Sequence, residues 1–270
     1  MKRKYRFYGW ETADVKEAHG LTPRAMYDLL SGLWCAETCA PRMRGDWSPD
    51  NRTLGQCSVT AFLIQDLFGG KVYGIPLEDG GYHCFNEVDG CVFDLTSEQF
   101  GDVTLCYADR PEQHREEHFR KAEKKARYEQ LREGLLRCLE VIGPGPLLEI
   151  RVLCEESVTV RGGWATAVMI PFTGTASGPS FSGEIGKGGV DTQIWPKDVP
   201  GKLSARYTLQ GRDRAGQECR IFIQNEGNKE EGYHPMILTD SGLLSCWERL
   251  PMRATIDPAE GGVLVRIFAE

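Results

Sequence analysis

No stretch of this sequence approaches the ~20 consecutive apolar residues that a membrane-spanning helix needs. No secretory leader opens it either. Met1-Lys2-Arg3-Lys4 is basic, but aromatic and polar residues follow where an apolar segment would stand, so the chain reads as cytoplasmic. An excess of positive charge is also missing. The net charge is −7, which gives nucleic acid or an anionic membrane no general attraction. There is no Cys-x-x-Cys pair among the ten cysteines. Without export, disulfides are not expected, and most of these thiols read as reduced core residues. His-Glu-x-x-His is absent. His114-Arg115-Glu116-Glu117-His118 fits the inverted zinc pattern by letter, but a third ligand cannot be assigned and a solvated helix face is the stronger reading. His83 and Cys84 would point to opposite faces of one strand. Neither metal nor cofactor is therefore expected.

What is present is ordinary globular composition: 270 residues, 41% hydrophobic and 26% charged, enough for one large or two modest domains. Gly143-Pro144-Gly145-Pro146 is the strongest break in the chain. It separates residues 1–142, with a charged helical segment at their end, from residues 147–270. Thr22-Pro23 supplies an N-cap and a first-turn proline, so a helix is expected through Met26, Leu29, Leu30 and Leu33. Arg110 to Glu140 reads as one or two amphipathic helices. The arm around Tyr5, Phe7, Tyr8 and Trp10, with Lys2, Arg3, Lys4 and Arg6, reads as packing rather than as a nucleic-acid surface.

The chemistry concentrates at Gly55-Gln56-Cys57. Val59, Phe62, Leu63 and Leu67 follow at helical spacing and Gly69-Gly70 stops the pattern, which places Cys57 at a helix N-terminus. There the unpaired N–H groups and the macrodipole favour a thiolate. Lys71 to Leu77, Tyr82 to Val88 and Cys91 to Leu95 read as strands, with a turn at Glu78-Asp79-Gly80-Gly81. A two-residue turn at Asp89-Gly90 would set Val88 opposite Cys91 and put His83 and Asp94 diagonally on one face. Cysteine, histidine and aspartate in that order are the residue types of a thiol-nucleophile triad. Taken singly, each has a plainer reading: a buried thiol, a hydrogen-bonded histidine, a capping aspartate. The Gln56 amide is a candidate oxyanion donor, a role worth up to ~3–4 kcal/mol, and the Cys57 backbone N–H is an equal candidate. The polar loop Pro41 to Thr53, with Trp47, Asp50 and Asn51, is expected to line the cleft.

This pattern resembles the transglutaminase-like branch of the papain-like thiol enzymes, whose nucleophile motif also reads Gly-Gln-Cys. That resemblance implies an oxyanion role for Trp34, for which a core aromatic is the alternative. The chain departs from it at Ser58, where those enzymes carry an aromatic residue, and in its shorter His-to-Asp interval. Leu30-Ser31, Trp34, Glu37-Thr38, Asn51, Val59-Thr60-Ala61, Phe68-Gly69-Gly70, His83, Asn86, Asp94-Leu95-Thr96 and Gln99-Phe100 more closely resemble the bacterial YunG family.

Beyond the break, strands are expected at Glu149 to Cys154, Thr166 to Ile170, Ser182 to Ile185, Leu203 to Leu209, Arg220 to Ile223 and Val263 to Phe268. They suggest an antiparallel barrel or sandwich of roughly eight or more strands. Phe172 to Gly178, Gly183-Glu184-Ile185, Gly188 to Asp191, Ala205-Arg206-Tyr207 and Asn225-Glu226-Gly227 resemble a bacterial family of small β-barrel proteins of uncharacterised function. Asp191, Arg206 and Tyr207 are candidate ligand contacts at a barrel mouth, with turn or cross-strand roles as the alternative.

The expectation is thus an α+β chain. A papain- or transglutaminase-like helix-plus-antiparallel-sheet domain precedes an all-β antiparallel barrel. Cys57, His83 and Asp94 would act on an amide or ester of a peptide or small molecule, and the barrel would bind substrate or a partner. A non-catalytic binding or assembly protein that retains the fold is the alternative.

Overall fold

The computed structural model describes residues 5–17, 20–78 and 80–270. Lys2, Arg3, Lys4 and Asp79 of the sequence reading lie outside the described residues. The chain divides into two compact units, Met1–Arg137 and Cys138–Glu270. The division falls inside a helix, just before the expected break at Gly143 to Pro146.

In the first unit, α1 (Pro23–Leu30) begins where expected, with Thr22 Oγ1 accepting the Ala25 N–H at 3.4 Å. It stops before Leu33, and turns carry the chain to Trp34. The next helix, α2 (Cys57–Phe68), is buried continuously from Ser58 to Ile64, not on one face only. A helix apolar on nearly all sides belongs in a core, and α2 is the central element of this unit. An antiparallel sheet follows: β1 (Lys71–Pro76), β2 (Tyr82–Val88) and β3 (Cys91–Phe93), in that order. Asn86 Nδ2 donates to Ala61 O at 2.9 Å and so ties β2 to α2. The short α3 (Arg115–His118) precedes α4 (Ala122–Ile142). Arg115 joins them to α2, pairing with Asp66 and donating to Phe62 O at 3.0 Å. Tyr128 of α4 also donates to Asp66. The N-terminal arm packs within this unit, with Phe7 buried and stacked on Tyr27 at 5.2 Å. Among the described residues, no helix is long and apolar enough to cross a membrane.

The second unit is a closed antiparallel barrel. Its strands are β4 (Leu148–Cys154), β5 (Val158–Arg161), β6 (Ala165–Gly178), β7 (Phe181–Ile185), β8 (Val190–Pro196), β9 (Lys202–Asp213), β10 (Glu218–Asn228), β11 (Gly232–Thr239), β12 (Met252–Ala259) and β13 (Gly262–Ala269). Pairing runs β4-β6-β7-β9-β10-β11-β12-β13 and returns to β4, so eight strands close the ring and leave no free edge around it. Strand β8 occupies the same slot as β7, pairing with the first part of β6 and of β9, while β7 pairs with their later parts. Leu148, Ile150, Leu209, Ile221, Ile223 and Ile267 are fully buried in the core.

Candidate active site

Gly55 sets the entrance to α2. Its φ of +67° is left-handed, and a Cβ there would stand 2.7 Å from Cys39 Sγ and 2.9 Å from Ala40 N. Only glycine satisfies both the dihedral and the close approach. Gln56 then occupies the N-cap position and Cys57 opens the helix, half-buried.

The β2–β3 hairpin turns through Asp89 (φ 50°) and Gly90 (φ 79°), both left-handed as a tight type I′ connection requires. Its register is Val88↔Cys91, Glu87↔Val92 and Asn86↔Phe93. Asp94 follows β3 and is fixed by its own N–H donating to Tyr8 O at 3.0 Å. This geometry places His83 Nε2 2.5 Å from Asp94 Oδ2, with both side chains excluded from solvent. Every direction around the Asp94 carboxylate is used. Oδ2 also accepts from Tyr107 Oη at 3.0 Å, and Oδ1 accepts from Thr96 N and Thr96 Oγ1, each at 3.0 Å. Phe100 packs edge-on against the imidazole at 4.7 Å.

With Nε2 on Asp94, Nδ1 is the imidazole nitrogen left over, 3.5 Å from Gln99 Nε2; Cys57 Sγ lies 4.0 Å from Tyr82 O, and the thiol and the imidazole are close enough to shift each other's pKa. Burial by itself pulls the His83 pKa down. The charge and hydrogen bond of Asp94, joined by those of Cys57, outweigh it and hold the imidazole at about 10. Burial by itself pushes the Cys57 thiol up. The hydrogen bond and charge of His83, with the Cys84 backbone N–H, overcome it, and the thiol ends below its ordinary value. Neighbouring thiols behave oppositely: burial drives Cys39 and Cys84 up. Cys57 and His83 thus favour the thiolate–imidazolium form. Gln99 lies beside the pair. Its Oε1 accepts from Gly55 N at 3.3 Å, and its Nε2 donates to Thr96 O at 2.8 Å and lies 3.5 Å from His83 Nδ1.

Cys57 and, beneath it, the solvent-excluded His83 line a cleft of about 670 Å³. Pro41, Arg42 and Met43 of the expected loop line it, along with Tyr82, Phe100, Lys121 and Lys124. Asn51 instead closes a local turn with Ser48. Gln56 is wholly buried, and its Nε2 donates to Cys35 O at 3.0 Å, directed to the loop and not the thiol. Trp34 is a core side chain, its Nε1 donating to Thr60 Oγ1 at 3.0 Å. His118 does not pair with His114. Its nitrogens engage Gln113 Oε1 and Lys124 Nζ, each at 3.1 Å. No group of three or more His, Cys, Asp or Glu among the described residues is arranged to hold a metal.

In the barrel, strand alternation separates the three expected ligand contacts. Asp191 lies opposite Ala205, and Tyr207 is two residues further along, so those two share a face. Arg206 takes the other face, 60% exposed and 3.8 Å from Glu226, so it does not join them. Tyr107 and Lys124 were not anticipated. Both lie beyond the triad in the chain and carry no local spacing signal, whereas Gln99-Phe100 lies within the YunG-like pattern.

The family described as YunG protein matches residues 22–140, and the one described as Protein of unknown function (DUF3237) matches residues 145–231. A curated relative, "Uncharacterized protein YunG" of Bacillus subtilis (strain 168), is 36% identical over 96 residues, covering 36% of this chain and 80% of the relative. Two similar solved structures are a protein with unknown function from Clostridium acetobutylicum ATCC 824 (22% identity, TM-score 0.40, 45% of this chain and 92% of that one) and a beta-barrel like protein from Acinetobacter baumannii AYE (17% identity, TM-score 0.36, 46% and 93%). The relation to transglutaminase-like enzymes rests on the residue pattern alone. The chain belongs to the YunG family, carrying that family's domain ahead of a DUF3237 domain.

Proposed function

We propose that the first unit is a thiol-dependent acyl-transfer enzyme acting on an amide or ester. The observation that carries this reading is the fully buried His83–Asp94 pair held against the Cys57 thiol at a helix N-terminus. The Cys57 thiolate attacks the carbonyl carbon, and the developing oxyanion is met by N–H groups of the first turn of α2. Protonated His83 gives its proton to the leaving amine or alcohol as the carbon–heteroatom bond breaks, which leaves a thioester on Cys57. Water or a second amine, deprotonated by His83, then attacks the thioester and releases the thiolate. Asp94 orients the imidazole and stabilises its charge. The papain- and transglutaminase-like likeness of the sequence agrees with these roles, with Gln56 and Trp34 acting as buried supports of the loop and helix instead of oxyanion donors.

The barrel is read as a binding domain for a small polar ligand or a partner. Asp191 and Asn225 lie on one face across Ala205. Each has a buried Oδ1 with no hydrogen-bond partner, an arrangement that suits a donor-bearing ligand.

The test is mass-spectrometric mapping of iodoacetamide labelling on the native protein across mildly acidic to mildly basic pH, with His83→Ala alongside. Cys57 is expected to label first, well below the ~8.5 of an ordinary thiol, and to lose that advantage in the variant. A Cys57 that stays unlabelled while other cysteines react at ordinary thiol pH replaces the enzyme with a non-catalytic binding protein.

A further inference from the structure

The cleft over Cys57 is lined by more cationic groups than its own acids neutralise. Lys121 and Lys124 reach it from the start of α4, and neither has a carboxylate partner within ion-pair distance among the described residues. Of the two acids on the rim, Glu123 is engaged by Arg127 at 2.9 Å, which leaves Glu117. Arg127 is buried and also donates to Thr38 O at 3.1 Å, so its role is to fix α4 to the loop after α1. Lys124 is half-buried and set in place. Its ammonium donates to His118 Nδ1 at 3.1 Å, and His118 Nε2 donates to Gln113 Oε1 at 3.1 Å. Burial and the neighbouring lysines hold His118 down at about 4, so it accepts that bond as a neutral ring. Lys124 is left with N–H donors free to meet a ligand. Lys124 lines the same cleft as Cys57, and burial there lowers the pKa of its ammonium. In a partly desolvated cleft, such a charge acts more strongly than on an open surface.

Resting on the thiol-enzyme reading above, we infer that the substrate is an acidic acyl compound, an amide or ester bearing a carboxylate or similar compact anion that Lys124 and Lys121 hold beside Cys57. A lysine ammonium is a point charge without the planar fork of arginine, so it selects the sign of the charge over the shape of the anion. Lys124 is a positioning residue for the substrate.

Iodoacetate and iodoacetamide test this directly. Both alkylate Cys57 by the same step: its sulfur forms a bond to the reagent's carbon, the carbon–iodine bond breaks and iodide leaves. They differ in charge at nearly equal size. The ratio of their rates at Cys57 is measured in the wild type, Lys124→Gln, the Lys121→Gln/Lys124→Gln double variant and Lys125→Gln, whose lysine instead pairs with Glu129 at 3.7 Å. The expected result is a ratio that falls by about threefold or more in Lys124→Gln, falls further in the double variant and is unchanged in Lys125→Gln. Added salt is expected to lower the wild-type ratio. A ratio equal in all four proteins, with rapid labelling by both reagents, overturns the anion preference and leaves the thiol-enzyme reading standing. Failure of Cys57 to react with either reagent overturns both. Independently of any variant, succinate is expected to protect wild-type Cys57 from iodoacetamide more than succinamide does. Equal protection by the two counts against the inference.

Discussion

Tyr107 Oη donates to Asp94 Oδ2 at 3.0 Å, the same oxygen that meets His83 Nε2. Together with the two Thr96 donors, this satisfies the buried carboxylate as an ion and keeps it pointed at the imidazole. Asp94→Asn is therefore expected to act on both stability and chemistry. It removes the charge that keeps His83 protonated, so Cys57 alkylation should shift toward ordinary thiol pH. Breaking a buried pair costs about 3–5 kcal/mol, readable as a lower urea midpoint. Tyr107→Phe removes one donor and leaves the pair, so the expected loss is about 1 kcal/mol with the low-pH reactivity of Cys57 retained. Equal alkylation profiles for Asp94→Asn and the wild type would separate Asp94 from the thiol.

The His83 ion pair also has a pH signature. An imidazole held at about 10 in the folded state and 6.5 when exposed binds a proton more tightly folded than unfolded. Its stabilisation is complete below 6.5, declines as pH rises between the two values, and is gone once pH passes about 10. Unfolding free energies of the wild type minus those of His83→Gln, measured over this range, should follow that fall. A difference that stays flat to strongly alkaline pH contradicts a charged His83.

Much of this site was legible in local sequence because it depends on short-range rules. Gly55 before an apolar run fixed the helix start, and Asp89-Gly90 fixed the hairpin register that carries His83 toward Asp94. The barrel was less legible. Val158–Arg161 is exposed at all four positions and shows no alternation. In Gly232–Thr239 and Met252–Ala259, Pro235 and Pro258 interrupt the strand pattern, while the neighbouring hairpin strands β10 and β13 impose it. Arg206 and Tyr207 are neighbours on one strand, and adjacency in a strand sends their side chains to opposite faces. Tyr107 and Lys124 reach the site only through tertiary folding, which no spacing rule encodes.

Gly55→Ala is expected to damage the site without touching its chemistry. The new methyl would require a left-handed dihedral and stand against both Cys39 Sγ and the Ala40 backbone. The expected cost is about 1–3 kcal/mol, with slower Cys57 alkylation because the helix start moves relative to His83. Adding Cys39→Ala should not restore either property, since the Ala40 nitrogen at 2.9 Å remains. Full recovery in the double variant would show that the sulfur contact alone demanded glycine.

Asp191 offers the clearest probe of the barrel. Burial raises its pKa, outweighing the Gln193 and Ser204 hydrogen bonds that lower it. The folded protein therefore binds this proton more tightly than the unfolded chain, and ionisation at neutral pH opposes folding. Asp191→Asn removes that ionisation. The variant is expected to melt higher than the wild type at neutral pH, with the advantage shrinking as pH falls and absent below the 3.8 of an exposed aspartate. Thermal melts at a series of pH values read this directly. A variant that is less stable at neutral pH would mean that the charge is balanced by a group on the barrel's inner face, and the unpaired Oδ1 would no longer support a ligand site.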